Sequence, residues 1–232
     1  MSERISTGCS ALDELLGGGV ERGTVTQLYG PPAAGKTNVA LSTAVQVAAG
    51  GGTAVYIDTE GLSVDRFRQL ADGVADGDIE TLTSRIIISE AHDFAEQREA
   101  VRDVADLASE AELIVLDSAT GFYRLERGEE AGDDAGDSLR AVASQLTHLL
   151  SLARKHDLGV VVTNQVYTDP DSDRARGLGG HTLEHWTGTV VRLDRFRGGK
   201  RRATLEKHRS KAAGESVTFE ITERGLAAVE EF

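Results

Sequence analysis

Residues 24–49 read TVTQLYGPPAAGKTNVALSTAVQVAA, and this stretch decides the fold. Its middle, residues 30–37, has the form G-x4-G-K-T. In the loop of Gly30, Pro31, Pro32, Ala33, Ala34 and Gly35, the two glycines let the backbone curl and turn its N–H groups toward phosphate oxygens. Lys36 brings a point charge to the β- and γ-phosphates, and Thr37 offers a hydroxyl to Mg2+. The cofactors expected are therefore ATP and Mg2+. TVTQLY is strand-like, and residues 37–49 are helix-like, with Val39, Ala40, Thr43, Ala44 and Val47 on one face. Strand, glycine loop and helix in that order aim a helix N-terminus at an anion.

The flanking chain repeats this alternation. Apolar strand candidates lie at 24–29, 53–58, 85–89, 113–117 and 159–163, with helical patterns at 37–49, 64–71, 93–108 and 137–156. The last helix is the clearest, with Leu139, Val142, Ala143, Leu146, Leu149, Leu150 and Ala153 on one face. Continuous apolar strands separated by helices predict a parallel sheet covered on both sides. After residue 187 the period changes. GTVVRLDRF, RRATLEKHR and SVTFEIT read as three strands joined by turns at Gly198-Gly199 and Ala212-Ala213-Gly214. The fold class expected is α/β, a mainly parallel sheet flanked by helices with a C-terminal antiparallel extension, in one domain over residues 1–232.

A phosphate loop needs carboxylate partners. LIVLDS, residues 113–118, is a buried strand ending in Asp117, which can hold Mg2+ through water. Glu60, in YIDTEG just past the second core strand, is the candidate to activate water. Parallel strands end near one another at the carboxyl edge, where ligands sit. A solvated loop carboxylate is the alternative for Glu60.

Composition excludes several classes. No apolar run approaches a membrane span and the N-terminus has no apolar signal region, so a cytoplasmic protein with no membrane partner is expected. The one cysteine, Cys9, rules out a disulfide framework and fits a packing role. The net charge is −13, with 20 Arg and 5 Lys among the bases. Such a surface matches proteins that work in concentrated salt, where self-repulsion is screened. Residues 192–211 hold nine bases and two acids, a local +7, which leaves −20 on the remainder. Residues 126–137 hold six acids and one base, a local −5.

Six ordered motifs then carry a family resemblance: residues 6–30, GPPAAGKT, VYIDTEG, LIVLDSATGFYR, GVVVTNQV and GGHTLEHWTGTVVRL. Together they resemble the RecA-like recombinase core of the archaeal and eukaryotic branch, over nearly the whole chain, and most nearly its short archaeal paralogues. The core starts at Ile5, so the N-terminal helix-hairpin-helix domain and polymerisation motif of full-length archaeal recombinases are expected to be absent. The resemblance implies that Lys36 and Thr37 hold phosphate and Mg2+, that Glu60 activates water and that Asp117 supports the metal. It makes Gln165 the sensor linking the γ-phosphate to the DNA-binding loop that follows. An amide there can accept from water and donate to phosphate. His185, Lys207 and Arg209 match groups that reach a neighbouring subunit's ATP. K-x-R spacing on a strand puts both cations on one face, where they would act as arginine fingers in trans. A solvated or DNA-facing basic edge is the alternative. DNA-binding candidates are Arg124 and, in the second loop at 167–180, Arg174 and Arg176. The basic window adds Arg195, Arg197, Lys200, Arg201 and Arg202, unless that edge meets an acidic protein.

Three departures from the family pattern shape the expected function. The first DNA-binding loop, RLERGEEAGDDAGD, carries carboxylates that repel phosphate. The second sets Arg174 and Arg176 against three Asp. Ala33 stands where strand-exchange relatives place an Arg beside the adenine. The expected function is a recombination and repair accessory that binds ATP and DNA, single-stranded or branched, with a weak ATPase and little strand exchange. Its expected partners are the main archaeal recombinase, a structure-specific nuclease and further copies of itself. A filament-forming strand-exchange enzyme is the first alternative, and its base-stacking aromatics near the DNA face are only Tyr123, Tyr167 and Trp186. A KaiC-like signalling ATPase is the second.

Overall fold

The strand after which the glycine loop opens lies mid-sheet. In a computed structural model, which describes residues 3–74, 79–123, 134–168 and 175–229, it is β1 (Val25–Tyr29). Its parallel companions are β2 (Thr53–Asp58), β3 (Ile86–Glu90), β4 (Ala111–Asp117), β5 (Gly159–Asn164) and β8 (Thr189–Arg195). Antiparallel β9 (Arg201–Lys207), β10 (Ser216–Thr222) and β11 (Gly225–Ala228) extend one side. The order is β11-β10-β9-β8-β1-β5-β4-β2-β3, one nine-stranded sheet. A separate hairpin pairs β6 (Val166–Thr168) with β7 (Ala175–Gly177).

Alternation along the strands feeds two cores. On β4, Leu113 and Val115 face one cluster, while Ile114 and Leu116 face the other. The first lies under α1 (Ser10–Leu15), α2 (Lys36–Ala49) and α3 (Val64–Val74), with Leu41, Ala44, Tyr56 and Phe219 fully buried. The second lies under α5 (Phe94–Asp103), α6 (Asp134–His156) and α7 (Gly180–Trp186). There Val142, Leu146, Leu149, Leu150 and Ala153 make the buried stripe that the period of 3.6 predicts. A short α4 (Ile79–Ser84) precedes β3.

Some boundaries differ from expectation. The helix expected over 93–108 stops at Asp103 and tightens into a single turn of 3-10 helix, Val104–Asp106, before feeding β4 at Ala111. Its start is well signalled: the Asp93 carboxylate accepts the Glu96 N–H at 2.8 Å, and Glu96 reaches back to the His92 N–H at 2.8 Å. The expected loop at 167–180 is partly ordered backbone, since its ends pair as β6 and β7 and Gly180 opens α7.

Candidate nucleotide site and a distant basic cleft

The parallel strands bring their carboxyl ends level. Tyr29 pairs in register with Asn164, and Asp58 with Asp117. The residues that follow these ends, at the loop 30–35, Glu60 and Gln165, are thereby gathered along one edge. Gly30 can only be glycine, because a Cβ there would lie 2.1 Å from the Leu193 carbonyl oxygen of β8. Gly35, at φ 102°, and Ala33, at φ 60°, complete the curl. Gly35 then caps α2 with no side-chain hydrogen bond and no acid in the first turn. The first N–H groups of the helix therefore await an outside acceptor. The donor set and this open cradle fit a nucleotide phosphate chain.

Lys36 folds back over the loop, donating from Nζ to the carbonyls of Gly30 at 2.9 Å and Pro31 at 3.2 Å. Burial pushes its ammonium down from the ordinary lysine range, and the Glu60 and Asp117 carboxylates pull it back up. Asp117 is 1% exposed. Tyr56 donates to its Oδ2 at 2.6 Å, Thr163 donates to its Oδ1, and the Thr37 hydroxyl lies close enough to lower its pKa. Burial raises the Asp117 carboxyl, and these three hydroxyls lower it. Thr37 and Asp117 are thus neighbours, suited to sharing Mg2+.

Glu60 is exposed and aimed by its turn. The Asp58 carboxylate accepts the N–H groups of Glu60 and Gly61 at 3.1 Å each, and that of Leu62. Gln165 donates from Nε2 to Glu60 Oε1 at 2.9 Å. Two residues 105 positions apart, singled out in the sequence, are therefore hydrogen-bonded beside the phosphate loop. Tyr56, Thr163 and Thr59 escaped notice in the sequence. Their one signal is a polar residue interrupting an apolar strand or closing it.

The three residues matched to a neighbour's ATP lie elsewhere. Val190 of β8 pairs with Lys207, and Arg195 pairs with Arg201, so β9 runs from the phosphate end of the sheet to the opposite end. His185, Lys207 and Arg209 line a cleft of about 210 Å³ at that opposite end, with Leu150, Arg154 and Trp186. Lys207 Nζ donates to the carbonyls of Glu184 and Thr187 at the end of α7, and Arg209 stands 4.0 Å from Glu21. His185 and Trp186 meet edge to face at 5.0 Å. The five residues of β1, from Val25 beside Gly188 to Tyr29 before the loop, separate this cleft from the phosphate loop, about 17 Å at 3.3 Å per residue.

The basic window therefore is not one edge. Arg195, Arg197, Lys200, Arg201 and Arg202 surround the β8–β9 turn at the phosphate end, whereas Lys207, Arg209 and Lys211 lie at the other. Arg195 and Arg197 are exposed. Arg202 stacks over Phe196 at 4.2 Å, and Arg201 bonds the turn carbonyls of Gly199 and Lys200 while its stem approaches Gly35. Arg192 is spent on the sheet face, where it pairs with Asp194 at 2.8 Å and Glu206 at 3.6 Å. Arg176 is exposed on β7. Arg124, Arg174 and most of the acidic segment, residues 126–133, lie outside the described residues.

The family model described as Rad51 matches residues 2–229. The chain belongs to the Rad51 family. A protein of Halobacterium salinarum named DNA repair and recombination protein RadB is 70% identical over 227 residues, 97% of this chain and 94% of that protein. A protein of the same name from Methanococcoides burtonii is 43% identical, over 97% of this chain and 98% of its own length. A solved structure described as the crystal structure of the RadB recombinase matches with a TM-score of 0.84 at 38% identity, covering 97% of this chain and all of that one. The expected α/β architecture with its antiparallel extension is thus a Rad51-family fold. The acidic, arginine-rich composition agrees with a halobacterial relative. Among the described residues no helix is long and apolar enough to cross a membrane.

Proposed function

We propose that this chain is a recombination and repair accessory that binds ATP with Mg2+, hydrolyses it slowly, binds single-stranded or branched DNA, and assists the main archaeal recombinase and a structure-specific nuclease. The observation that carries the ATPase part is the Glu60–Gln165 hydrogen bond at the mouth of the Lys36 loop. The names of the relatives point the same way, since those proteins are called DNA repair and recombination proteins.

The residues divide the work. Lys36 and the first N–H groups of α2 bind the β- and γ-phosphates. Thr37 and Asp117 would hold Mg2+, which supplies charge neutralisation on the phosphates. Glu60 accepts a proton from the attacking water, and Gln165 orients that water and senses the γ-phosphate. His185, Lys207 and Arg209 serve the nucleotide of a neighbouring copy, because about 17 Å keeps them from their own. Turnover by an isolated chain is accordingly weak.

Electron microscopy and ATP-turnover assays, with ATP, Mg2+ and single-stranded DNA, test this. DNA binding with slow turnover and without continuous filaments is the outcome expected. Continuous filaments would install the strand-exchange reading, and closed rings without DNA the signalling one.

A further inference from the structure

The nucleotide edge and the β6–β7 hairpin are joined by a buried pair that neither the phosphate chemistry nor the Gln165 contact requires. Thr120, three residues past Asp117, is fully buried, and Asn164, the last residue of β5, is 1% exposed. The Thr120 hydroxyl donates to Asn164 Oδ1 at 2.8 Å and accepts the Gln165 N–H at 3.2 Å. Asn164 Nδ2 donates to the Leu178 carbonyl at 2.9 Å. Leu178 directly follows β7, and its own N–H donates to the Gln165 carbonyl at 2.8 Å. Both roots of the hairpin, Gln165 at its start and Leu178 at its end, are thus tied to one hydroxyl–amide pair.

The contact is close as well as bonded. A Cβ at Gly177 would meet Asn164 Nδ2 at 2.9 Å and Gln27 Nε2 at 3.2 Å, so the hairpin seats directly on the end of β5 and against β1. On the other side, the turn from Asp117 to Thr120 is held at each step. Thr59 donates its N–H to the Asp117 carbonyl at 2.8 Å, Ser118 donates to the Thr59 hydroxyl at 2.7 Å, and Gln97 Nε2 bonds the Ala119 carbonyl at 3.3 Å. Three successive residues of β5 and its exit therefore grip four different points. Thr163 holds Asp117, Asn164 holds Thr120 and Leu178, and Gln165 holds Glu60.

We propose that the Thr120–Asn164 pair is a positioning unit that sets the hairpin against the nucleotide edge, so that hairpin placement follows the turn after Asp117 independently of the Gln165 side chain. This rests on the nucleotide-binding reading above. A buried, fully bonded polar pair shifts as a unit, because leaving either member unpaired is costly. When ligation at Thr37 and Asp117 moves the turn, Thr120 and Asn164 carry that displacement to Leu178.

The test uses Thr120→Val, which keeps the shape and deletes the hydroxyl, and Thr120→Ser, which restores it. Hydrogen exchange is followed at the amides of residues 166–168 and 175–178, with and without Mg2+ and a non-hydrolysable ATP analogue. Analogue affinity is measured in parallel. In the wild type the analogue slows exchange at these amides. In Thr120→Val that slowing falls at least tenfold while analogue affinity stays within threefold, and Thr120→Ser behaves as wild type. Wild-type slowing in Thr120→Val overturns the proposal, as does a loss of affinity equal to the loss of slowing, which marks a merely structural role. A wild type that does not bind the analogue overturns the nucleotide reading itself, and the proposal with it. Should Thr120→Val not fold, Thr120→Ala takes its place under the same criteria.

Discussion

Asp117 shows how a single carboxyl is held at the end of a buried strand. Its carboxyl is buried among three hydroxyls, and burial raises its pKa above the ordinary 3.8. The folded chain therefore binds that proton more tightly than the unfolded chain does. The stability this group contributes is fully present below pH 3.8 and is lost as pH rises through the folded value. Asp117→Asn, uncharged throughout, escapes the loss. Without Mg2+ or nucleotide it should melt higher than wild type at pH 7, by about 2–4 °C per kcal/mol relieved, with the gain shrinking toward pH 4. Calorimetry on both proteins across pH checks this, and equal melting at pH 7 refutes it. Two other substitutions separate binding from turnover. Lys36→Ala removes the charge on the β/γ-phosphates and should abolish tight ATP binding. Glu60→Gln should keep binding within a few-fold and lose turnover, since it alters the proton acceptor and not the cradle. Turnover of Glu60→Gln at the wild-type rate would remove Glu60 from its role.

Among the elements, the β8–β9 turn bears the most direct consequence for DNA. Around it Arg195 and Arg197 are exposed and Lys200 is half-buried, whereas Arg201 leans on Gly35. Replacing those three with Ala should weaken binding to single-stranded DNA. Each cation–phosphate pairing removed should lower the log–log salt slope by roughly 0.7. An unchanged slope in fluorescence anisotropy over a salt series would assign the turn to a protein partner. The same turn shows where sequence reading stops. Residues 192–211 look like one basic edge because their charge is contiguous along the chain. Strand β9 reverses direction, so it carries Lys207 about 20 Å from Arg201, at 3.3 Å per residue. By contrast, α6 and the β1–loop–α2 unit were legible, since a period of 3.6 over many turns and a glycine loop between strand and helix are local signals. Strands of three residues such as β6 and β7 are too short to show a period. The partners of Asp117 come from positions 61 and 46 residues away, which no local pattern records.

At the scale of the whole molecule, the nucleotide end and the basic cleft face opposite ways along the strands. One chain thus presents a site at one end and a set of cations at the other, the geometry that a head-to-tail contact between copies would use. If His185, Lys207 and Arg209 act on a neighbour's ATP, two inactive chains should complement each other. Lys36→Ala lacks a working site but keeps the cleft, and Arg209→Ala keeps the site but lacks its finger. An arginine finger is worth about 10³–10⁵ in rate, so each variant alone should hydrolyse ATP far below the wild type. In an equal mixture about a quarter of random head-to-tail contacts join an intact site to an intact cleft, and turnover should recover in that proportion. The single Trp186 beside His185 gives an independent readout, because docking of a neighbour on the cleft changes its surroundings and its fluorescence. Recovery should rise with protein concentration, in step with the Trp186 signal. A mixture no more active than the sum of its parts, at concentrations where Trp186 reports docking, would leave the cleft with no part in catalysis.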